Sequence, residues 1–159
     1  MAEHLTIEPL TPDTPRLEHW LSLIGQWHHE HCLARGLHSS LERRIEQIRK
    51  HLSHDPLPVT LVAHKAGQPL GSVSLLRYLA AGTGNRLWLS NLYVESSVRN
   101  RGLGQALMEH ACRYAKAQGE RELWLFTDDQ RAFYRKRGWR PAGDARISRT
   151  EVDILVRVL

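Results

Sequence analysis

Two arginines and two glycines lie within six residues of one another, in segment 99–105, which reads Arg-Asn-Arg-Gly-Leu-Gly-Gln. The segment stands between a predicted strand and a long predicted helix. The first N–H groups of a helix have no partner inside it, and the helix dipole places partial positive charge there. Gly102 and Gly104 lack Cβ atoms, so an anion can approach the backbone closely. The segment is therefore a candidate cradle for a diphosphate, although an ordinary helix start with glycines in its loop gives the same pattern.

Two well-known phosphate-binding loops do not match this segment. The chain contains no Gly-x-x-x-x-Gly-Lys-Ser/Thr sequence, which disfavours a P-loop nucleotidase. A dinucleotide-binding fingerprint needs a glycine three residues after Gly104, and the chain has Leu107 there. Any phosphate bound here would be held by a different type of loop.

The elements on either side of the loop are predicted from hydrophobic patterning. Residues 87–94 have the composition of a strand. From Leu103 to Ala115, apolar or small residues recur in steps of three and four, and Gly119 ends the helix. Residues 122–126 form a short apolar run that is typical of a buried strand. Together they make one βαβ unit, whose strands should be parallel and whose crossover should be right-handed.

The first half of the chain predicts a strand, two helices and a hairpin. Residues 5–10 predict the first strand, and a helix is expected to begin near Asp13 or Thr14 and to end before Gly36. Ser39 and Glu42 have the spacing of a capping box for a second helix. Residues 58–64 and 70–79 predict two strands, with turns at 67–69 and 82–85.

The last part of the chain predicts a short helix and one strand. Asp128 or Asp129 is expected to cap a helix that runs to Arg137, and residues 147–159 alternate loosely as a terminal strand does. The predicted order is a first strand, two helices, an antiparallel run of strands and a βαβ unit. This order predicts an α+β fold with a mixed sheet.

Length and charge predict one globular domain over residues 1–159. The formal net charge of +5 favours anionic ligands, but basic and acidic residues are interspersed, so no nucleic-acid partner is expected. Cys32 and Cys112 are too far apart in sequence to suggest a disulfide framework, which favours a reducing compartment. No segment has the length of a membrane span, so no membrane partner and a cytoplasmic location are expected. Monomer and homodimer both remain open.

The central segment resembles motif A of the GNAT-type N-acetyltransferases. Arg99-x-x-Gly102-x-Gly104 follows a strand that ends at Val94 and precedes an Ala-Leu-Met helix. In that family an R/Q-x-x-G-x-G/A loop binds the pyrophosphate of acetyl-coenzyme A. Downstream, residues 127–139 resemble motif B, N-x-x-A-x-x-F-Y-x-x-x-G-F, with Thr127 in place of the usual Asn and Gln130 in place of the usual Ala.

This resemblance implies a GNAT-type fold, a mostly antiparallel sheet flanked by helices, with acetyl-coenzyme A as co-substrate and no metal. The backbone of Leu92, Tyr93 and Val94 would pair with the pantetheine arm and supply the oxyanion donor, and Thr127 would also lie on that arm. Tyr134 would act beside the sulfur as general acid. The diphosphate would bind at Arg99, Asn100, Arg101, Gly102, Leu103, Gly104 and Gln105.

Acetyl transfer to an amine also needs a group that takes the ammonium proton. By the family resemblance, the first helical pair lines the acceptor site, and we place the general base at Glu30. Other candidates are His28, His31, Asp128, and a water held by Asn91 or Tyr93. A polar helix end that only contacts solvent also accounts for residues 27–31. His28, His31 and Cys32 have metal-ligand spacing, but no second ligand cluster accompanies them, so no metal is expected.

The sequence thus predicts an N-acetyltransferase that moves an acetyl group from acetyl-coenzyme A to a primary amine, on a small molecule or a protein, by direct attack through a tetrahedral intermediate. One alternative is a non-catalytic acyl-coenzyme A sensor with the same fold. A second is a basic nucleic-acid binder, which the net charge alone suggests. Motif A concerns only the donor, so the acceptor amine is not predicted.

Overall fold

The structure is a computed structural model and describes residues 4–78, 84–147 and 150–159. Within them, seven strands form one sheet in the order β1-β2-β3-β4-β5-β7-β6. Neighbouring strands are antiparallel except β4 and β5, which are parallel. The predicted α+β fold with a mixed, mostly antiparallel sheet is confirmed. In chain order the elements are β1 (Thr6–Pro9), α1 (Leu17–Ala34), α2 (Leu41–Arg49), β2 (Val59–Lys65), β3 (Gln68–Leu76), β4 (Trp88–Val94), α3 (Leu103–Ala117), β5 (Glu122–Thr127), α4 (Arg131–Arg135), β6 (Arg140–Ile147) and β7 (Thr150–Val158).

Two hydrophobic clusters lie on opposite faces of the sheet, and β2 contributes to both. Leu61 and Ala63 belong to the α3 cluster, whereas Val62 belongs to the α1 cluster. This division follows from the alternation of side chains along a strand. The α3 cluster also contains Leu87, Leu89, Leu107, Met108, Ala111, Leu123 and Leu125. The α1 cluster also contains Leu10, Trp20, Leu21, Ile24, Trp27 and Ile48. The sheet is thus covered by α1 and α2 on one face and by α3 on the other.

The predicted terminal strand at 147–159 is confirmed as β7, but a strand that was not predicted, β6, precedes it. β6 and β7 pair antiparallel as a hairpin, and β7 also pairs with β5. β6 escaped prediction because it is an edge strand whose residues are mostly exposed, with Pro141 and Gly143 inside it. Edge strands bury no continuous face and tolerate proline, so they lack the hydrophobic alternation that marks a strand.

Two helix starts differ from the prediction. α1 begins at Leu17 rather than near Asp13 or Thr14, because Arg16 has left-handed backbone angles (φ 59°) that a helix cannot contain. α2 is capped by Ser40, whose Oγ accepts a hydrogen bond from the Arg43 N–H at 3.1 Å. Ser39, the predicted cap, instead has its Oγ 3.0 Å from His29 Nδ1 and thereby links α1 to the α1–α2 loop.

The helix after β5 is shorter than predicted, and no aspartate caps it. α4 spans five residues, and its N-cap Gln130 makes no side-chain capping bond. The Gln130 N–H donates to Thr127 Oγ1 at 2.9 Å instead. The predicted turn at 82–85 and the predicted end of β3 at residue 79 fall partly outside the described residues. No helix in the described ranges combines the length and apolar character that crossing a membrane requires.

His28 is a buried polar residue in the interface of α1 with α2. It is 8% exposed, and its Nε2 has no hydrogen-bond partner among the described residues. Burial, followed by the nearby charge of Arg44, lowers the pKa of His28 to about 4. The imidazole is therefore neutral in the folded protein at neutral pH, and protonating it would place an unpaired charge in the interface.

The free energy of unfolding is expected to fall as the pH drops from about 6.5 to about 4. In that window the unfolded chain binds a proton at His28 that the folded chain excludes, which costs up to about 3 kcal/mol. Urea unfolding at several pH values measures this slope. His28→Gln should remove most of it, and His51→Gln a smaller part, since burial also lowers the pKa of His51. If the free energy of unfolding of His28→Gln depended on pH as strongly as that of the unmodified protein, the lowered pKa of His28 would be contradicted.

Candidate active site

The parallel strands β4 and β5 pair at one end only. Trp88 is opposite Trp124, and the Trp124 N–H donates to the Leu87 carbonyl at 3.0 Å. Beyond that point each strand keeps its outer partner: β4 stays paired with β3 up to Val94, and β5 with β7 up to Thr127. The strands therefore diverge and leave a gap between their carboxyl ends, which we call the cleft. The edge of β4 that faces it is open to an added strand-like ligand.

A β-bulge in β4 helps to open the cleft. Asn91 has a left-handed φ of 54°, and three steps of β4 match two steps of β3 between Ser90 and Tyr93. A bulge increases local twist and re-aims the following side chains. As a result Leu92 packs in the α3 cluster, while Tyr93 turns to the opposite face and packs against the α1 cluster.

The segment predicted to hold a diphosphate ends at the N-terminus of α3. Gly102 is the N-cap and has left-handed angles (φ 81°), which glycine adopts without strain. The first turn of α3 contains no acidic residue, and no side chain of the N-cap bonds to it. The amides of Leu103, Gly104 and Gln105 precede Ala106, the first residue whose N–H bonds back to the Gly102 carbonyl. These amides and the helix dipole form a candidate anion site, which no acidic side chain of the first turn fills.

The candidate diphosphate cradle at the N-terminus of α3 lies beside the cleft. A Cβ built on Gly104 would lie 3.7 Å from Val94 Cγ2, so the first turn of α3 touches the end of β4. A ligand that bonds to the open edge of β4 can therefore reach the N-terminus of α3 without leaving the surface.

The two arginines of the segment do not share one role in this structure. Arg99 Nε donates to the Val94 carbonyl at 2.9 Å, and its guanidinium lies 5.1 Å from the centre of the Tyr93 ring. Arg101 is exposed, as are Asn100 and Gln105. The structure therefore brings Arg99 to the end of β4, on the side of the Tyr93 ring, whereas Arg101 stays at the exposed surface.

Thr127 ends β5 at the cleft, and Tyr134 follows on α4, where it packs in the α3 cluster. Tyr134 is buried, and its ring packs edge-on against Phe133 and Trp139 at 5.1 and 5.8 Å between centroids. Burial, followed by the negative charge of Asp129, raises the pKa of Tyr134 to about 12. The phenol therefore keeps its proton at neutral pH and can donate it. Thr127 is also buried and uses its Oγ1 to accept the Gln130 N–H.

On the other face, α1 reaches β4 through Trp27 and His31. The Trp27 ring stacks on Tyr93 at 5.3 Å with 20° between planes, and His31 lies edge-on to the same ring at 6.4 Å. The predicted base Glu30 is exposed and accepts a hydrogen bond from Gln26 Nε2, at 2.8 Å, on its own helix. Of the predicted segment 27–31, it is therefore Trp27 and His31 that contact the strand.

Charged groups join α1 to the loop after β5. Arg35, just beyond the end of α1, forms an ion pair with Asp128. Partial desolvation, followed by the nearby Arg35 charge, lowers the pKa of His31, while the carboxylate of Asp129 acts in the opposite direction. Asp129 thus lies within electrostatic range of both His31 and Tyr134. Sequence reasoning missed the Arg35–Asp128 pair, since nothing in the spacing of the two residues signals it.

A family model described as acetyltransferase (GNAT) family matches residues 14–139 of the chain, which include α1, the bulged β4, the cradle and Tyr134. The chain belongs to the acetyltransferase (GNAT) family. The predicted family resemblance is therefore confirmed, and acyl transfer is the general chemistry of this protein. No curated protein sequence is significantly similar to the chain.

Solved structures share the fold of this GNAT acetyltransferase at low sequence identity. An acyl-CoA N-acyltransferase from Pseudomonas aeruginosa has a TM-score of 0.71 and 19% identity, over 99% of this chain and 100% of that one. An aminoglycoside 6'-acetyltransferase type Ii has a TM-score of 0.72 and 19% identity, over 96% of both chains. A GNAT family acetyltransferase from Elizabethkingia anophelis, solved with acetyl-CoA bound, has a TM-score of 0.63 and 18% identity, over 98% of both chains.

Other features of this GNAT acetyltransferase are not part of the cleft. Cys112 is buried, and burial raises the pKa of its thiol to about 11, so it is not a thiolate nucleophile at neutral pH. No group of three His, Cys, Asp or Glu side chains within the described ranges is arranged to hold a metal ion. An open cavity of about 480 Å³ lies near the start of β4, between Lys50, Leu57, Arg77 and neighbouring residues, and includes none of the predicted site residues.

Proposed function

We propose that this protein is an N-acetyltransferase that transfers an acetyl group from acetyl-coenzyme A to a primary amine. The observation that carries the proposal is that the cleft between β4 and β5 opens directly beside the N-terminus of α3, whose first turn lacks acidic residues. The open edge of β4 and the N-terminus of α3 lie side by side. Together they match a ligand in which an amide-containing arm is joined to a diphosphate. Coenzyme A has that chemistry, and the structurally similar protein from Elizabethkingia anophelis was solved with acetyl-CoA bound.

On the donor side, the chain supplies backbone groups and positive charge. The amides of Leu103, Gly104 and Gln105 would bind the diphosphate, with Arg101 adding charge from the solvent side. The open edge of β4 at Leu92, Tyr93 and Val94 would pair with the pantetheine arm in the manner of an added strand. The turn between β4 and α3 is formed by Arg99, Asn100 and Gly102. Thr127, at the end of β5, faces the pantetheine arm.

For the reaction itself, the residues at the cleft have complementary roles. Fixed N–H groups of β4 are suited to stabilise the oxyanion that forms when the amine attacks the thioester carbonyl. Tyr134, which retains its proton at neutral pH, would donate it to the departing sulfur. The acetyl group then forms an amide bond with the amine nitrogen, the carbon–sulfur bond breaks, and coenzyme A leaves as the thiol.

The proton of the attacking amine needs an acceptor, and α1 offers Glu30 and His31. The position of His31 favours it, because its ring lies against Tyr93 whereas Glu30 bonds to Gln26 away from the strand. The lowered pKa of His31 keeps its imidazole neutral at neutral pH, so it can accept a proton directly or through a water. We therefore propose His31 as the first residue to test as the base, with Glu30 as the comparison.

Calorimetric titration with acetyl-coenzyme A, followed by detection of free thiol in the presence of a mixed panel of amines, tests the proposal. Saturable binding of acetyl-coenzyme A, with ATP and NAD failing to bind, and amine-dependent thiol release are the expected results. Binding without thiol release from any amine would favour an acyl-coenzyme A sensor. Absence of binding by folded protein would overturn the proposal and leave the start of α3 as an ordinary helix end.

A further inference from the structure

Four aromatic side chains cluster where β4 and β5 begin to diverge: Tyr78, Trp88, Trp124 and Phe126, which we call the aromatic platform. Trp88 and Phe126 are stacked, with ring centroids 4.1 Å apart and 11° between planes. Trp124 lies 6.0 Å from Trp88, and Tyr78 lies 6.0 Å from Trp88 and 6.2 Å from Phe126. These distances are those of favourable aromatic pairs, so the four rings form one continuous surface.

The platform lies on the face of the sheet opposite α3. Leu87 and Leu89 of β4 pack in the α3 cluster, as do Leu123 and Leu125 of β5. Because alternate residues of a strand point to opposite faces, the rings between them point away from α3, toward the face that α1 and Tyr93 occupy. The cradle at the start of α3 and the platform are thus on opposite faces, with the cleft between them. A thioester held in the cleft can be attacked from the platform side.

The chemistry of the platform is apolar and lacks negative charge. Trp88 is 1% exposed and forms the base, whereas Tyr78, Trp124 and Phe126 are half-buried and present ring surface. The guanidinium of Arg86 already lies 3.9 Å above the Trp124 ring. Tyr78 donates its hydroxyl proton to Ser90 Oγ at 3.0 Å, and Trp88 Nε1 is buried without a hydrogen-bond partner among the described residues.

Such a surface complements a flat apolar group and not a polycation or a polyol. A polyamine would require carboxylates, and the platform residues have none. Of the two aspartates just after β5, Asp128 is paired with Arg35, and Asp129 lies within electrostatic range of His31 and Tyr134. A sugar would require free hydrogen-bonding groups. A planar ring gains area and favourable ring geometry from Phe126 and Tyr78.

The platform is close enough to the cleft for a short linker. Ser90 bonds to Tyr78 at the edge of the platform, and Leu92 lies two residues further along β4, past the Asn91 bulge and so at most about 7 Å away. An amine joined to a ring by two or three carbon atoms spans that distance.

We propose that the acceptor is an arylalkylamine, a primary amine on a short chain attached to an aromatic ring, and that the aromatic platform binds the ring. This inference rests on the proposed N-acetyltransferase function. The side chains that would determine specificity are then Phe126 and Tyr78, with Trp88 holding them in place.

The test compares kcat/KM, measured by thiol release, for 2-phenylethylamine, ethylamine, spermidine, kanamycin and glutamate. 2-Phenylethylamine is expected to exceed ethylamine, which has the same linker without the ring, by at least about tenfold, and to exceed the other three amines. A higher kcat/KM for spermidine, kanamycin or glutamate would overturn the inference while leaving the acetyltransferase function intact. Failure to bind acetyl-coenzyme A would overturn the function itself.

Variants of the platform give a second, independent readout. Phe126→Leu is expected to raise the KM for 2-phenylethylamine about tenfold while leaving the Kd for acetyl-coenzyme A unchanged, which also shows that the variant is folded. Tyr78→Leu should act in the same direction. Tyr114→Leu removes a half-buried ring from α3, outside the platform, and should leave both values unchanged. An unchanged KM in both Phe126→Leu and Tyr78→Leu would overturn the inference.

Discussion

The variant Gly104→Glu is expected to bind acetyl-coenzyme A at least about 100-fold more weakly than the unmodified protein, with no loss of stability. Gly104 lies in the first turn of α3, where the diphosphate would accept hydrogen bonds from the backbone amides. A carboxylate on a longer side chain would occupy that site and repel the diphosphate. Charge-assisted hydrogen bonds contribute about 1.5–3 kcal/mol each, so losing two of them accounts for a 100-fold effect.

Stability should not fall in this variant, which separates binding from folding. A Cβ on Gly104 would lie in ordinary contact with Val94, at 3.7 Å, and the backbone there is not left-handed. Replacing glycine inside a helix stabilises it by about 0.5–1 kcal/mol, and an acidic residue near a helix N-terminus adds about 0.3–1 kcal/mol. Gly102 is a poorer test, because its φ of 81° would add strain to any substitution.

Calorimetric titration with acetyl-coenzyme A and urea unfolding measure the two effects on the same samples. Gly104→Gln is the matched control, since it has nearly the same shape without the charge, and its loss of affinity should be smaller. If Gly104→Glu bound acetyl-coenzyme A as tightly as the unmodified protein, the diphosphate would have to bind elsewhere.

The variant Tyr134→Phe is expected to lower kcat by about 100- to 10,000-fold, which is the usual contribution of a positioned general acid. Phenylalanine keeps the ring that packs against Phe133 and Trp139, so only the hydroxyl is lost. The Kd for acetyl-coenzyme A should therefore stay within about twofold. Single-turnover thiol release measures the chemical step without interference from product release.

A matched control variant, Tyr114→Phe, distinguishes a proton donor from a packing residue, and the pH dependence of kcat checks the raised pKa of Tyr134. Because the pKa of Tyr134 is raised to about 12, its proton is retained through pH 10, and the unmodified enzyme should show no loss of rate from this group up to that pH. Tyr114→Phe is the control, since it removes a phenol hydroxyl that donates to the Pro56 carbonyl at 2.6 Å, remote from the cleft. Equal kcat in Tyr134→Phe and Tyr114→Phe would reduce Tyr134 to a packing role.

The fold class and the central βαβ unit were predictable from sequence because their signals are local. α3 begins at Leu103, as predicted, because an amphipathic period of three and four residues starts there, directly after Gly102. β5 is recognisable as an apolar run because Leu123 and Leu125 are buried in the α3 cluster on one face, while Trp124 and Phe126 pack against Trp88 on the other. β6 was missed because an edge strand buries too little to show a pattern, and the Ser40 cap was misplaced by one residue because two adjacent serines satisfy the same rule.

The sequence by itself determined the position of the candidate anion site, since the unpaired amides at a helix start that has glycines are suited to bind an anion. Only the tertiary structure decided the rest of the active site. The Asn91 bulge and the single contact of β4 with β5 open the cleft, and they depend on how three strands pair. The packing of α1 placed His31, and not Glu30, against Tyr93. The aromatic platform joins residues 78, 88, 124 and 126, which are far apart in sequence and meet only because the sheet brings three strands side by side.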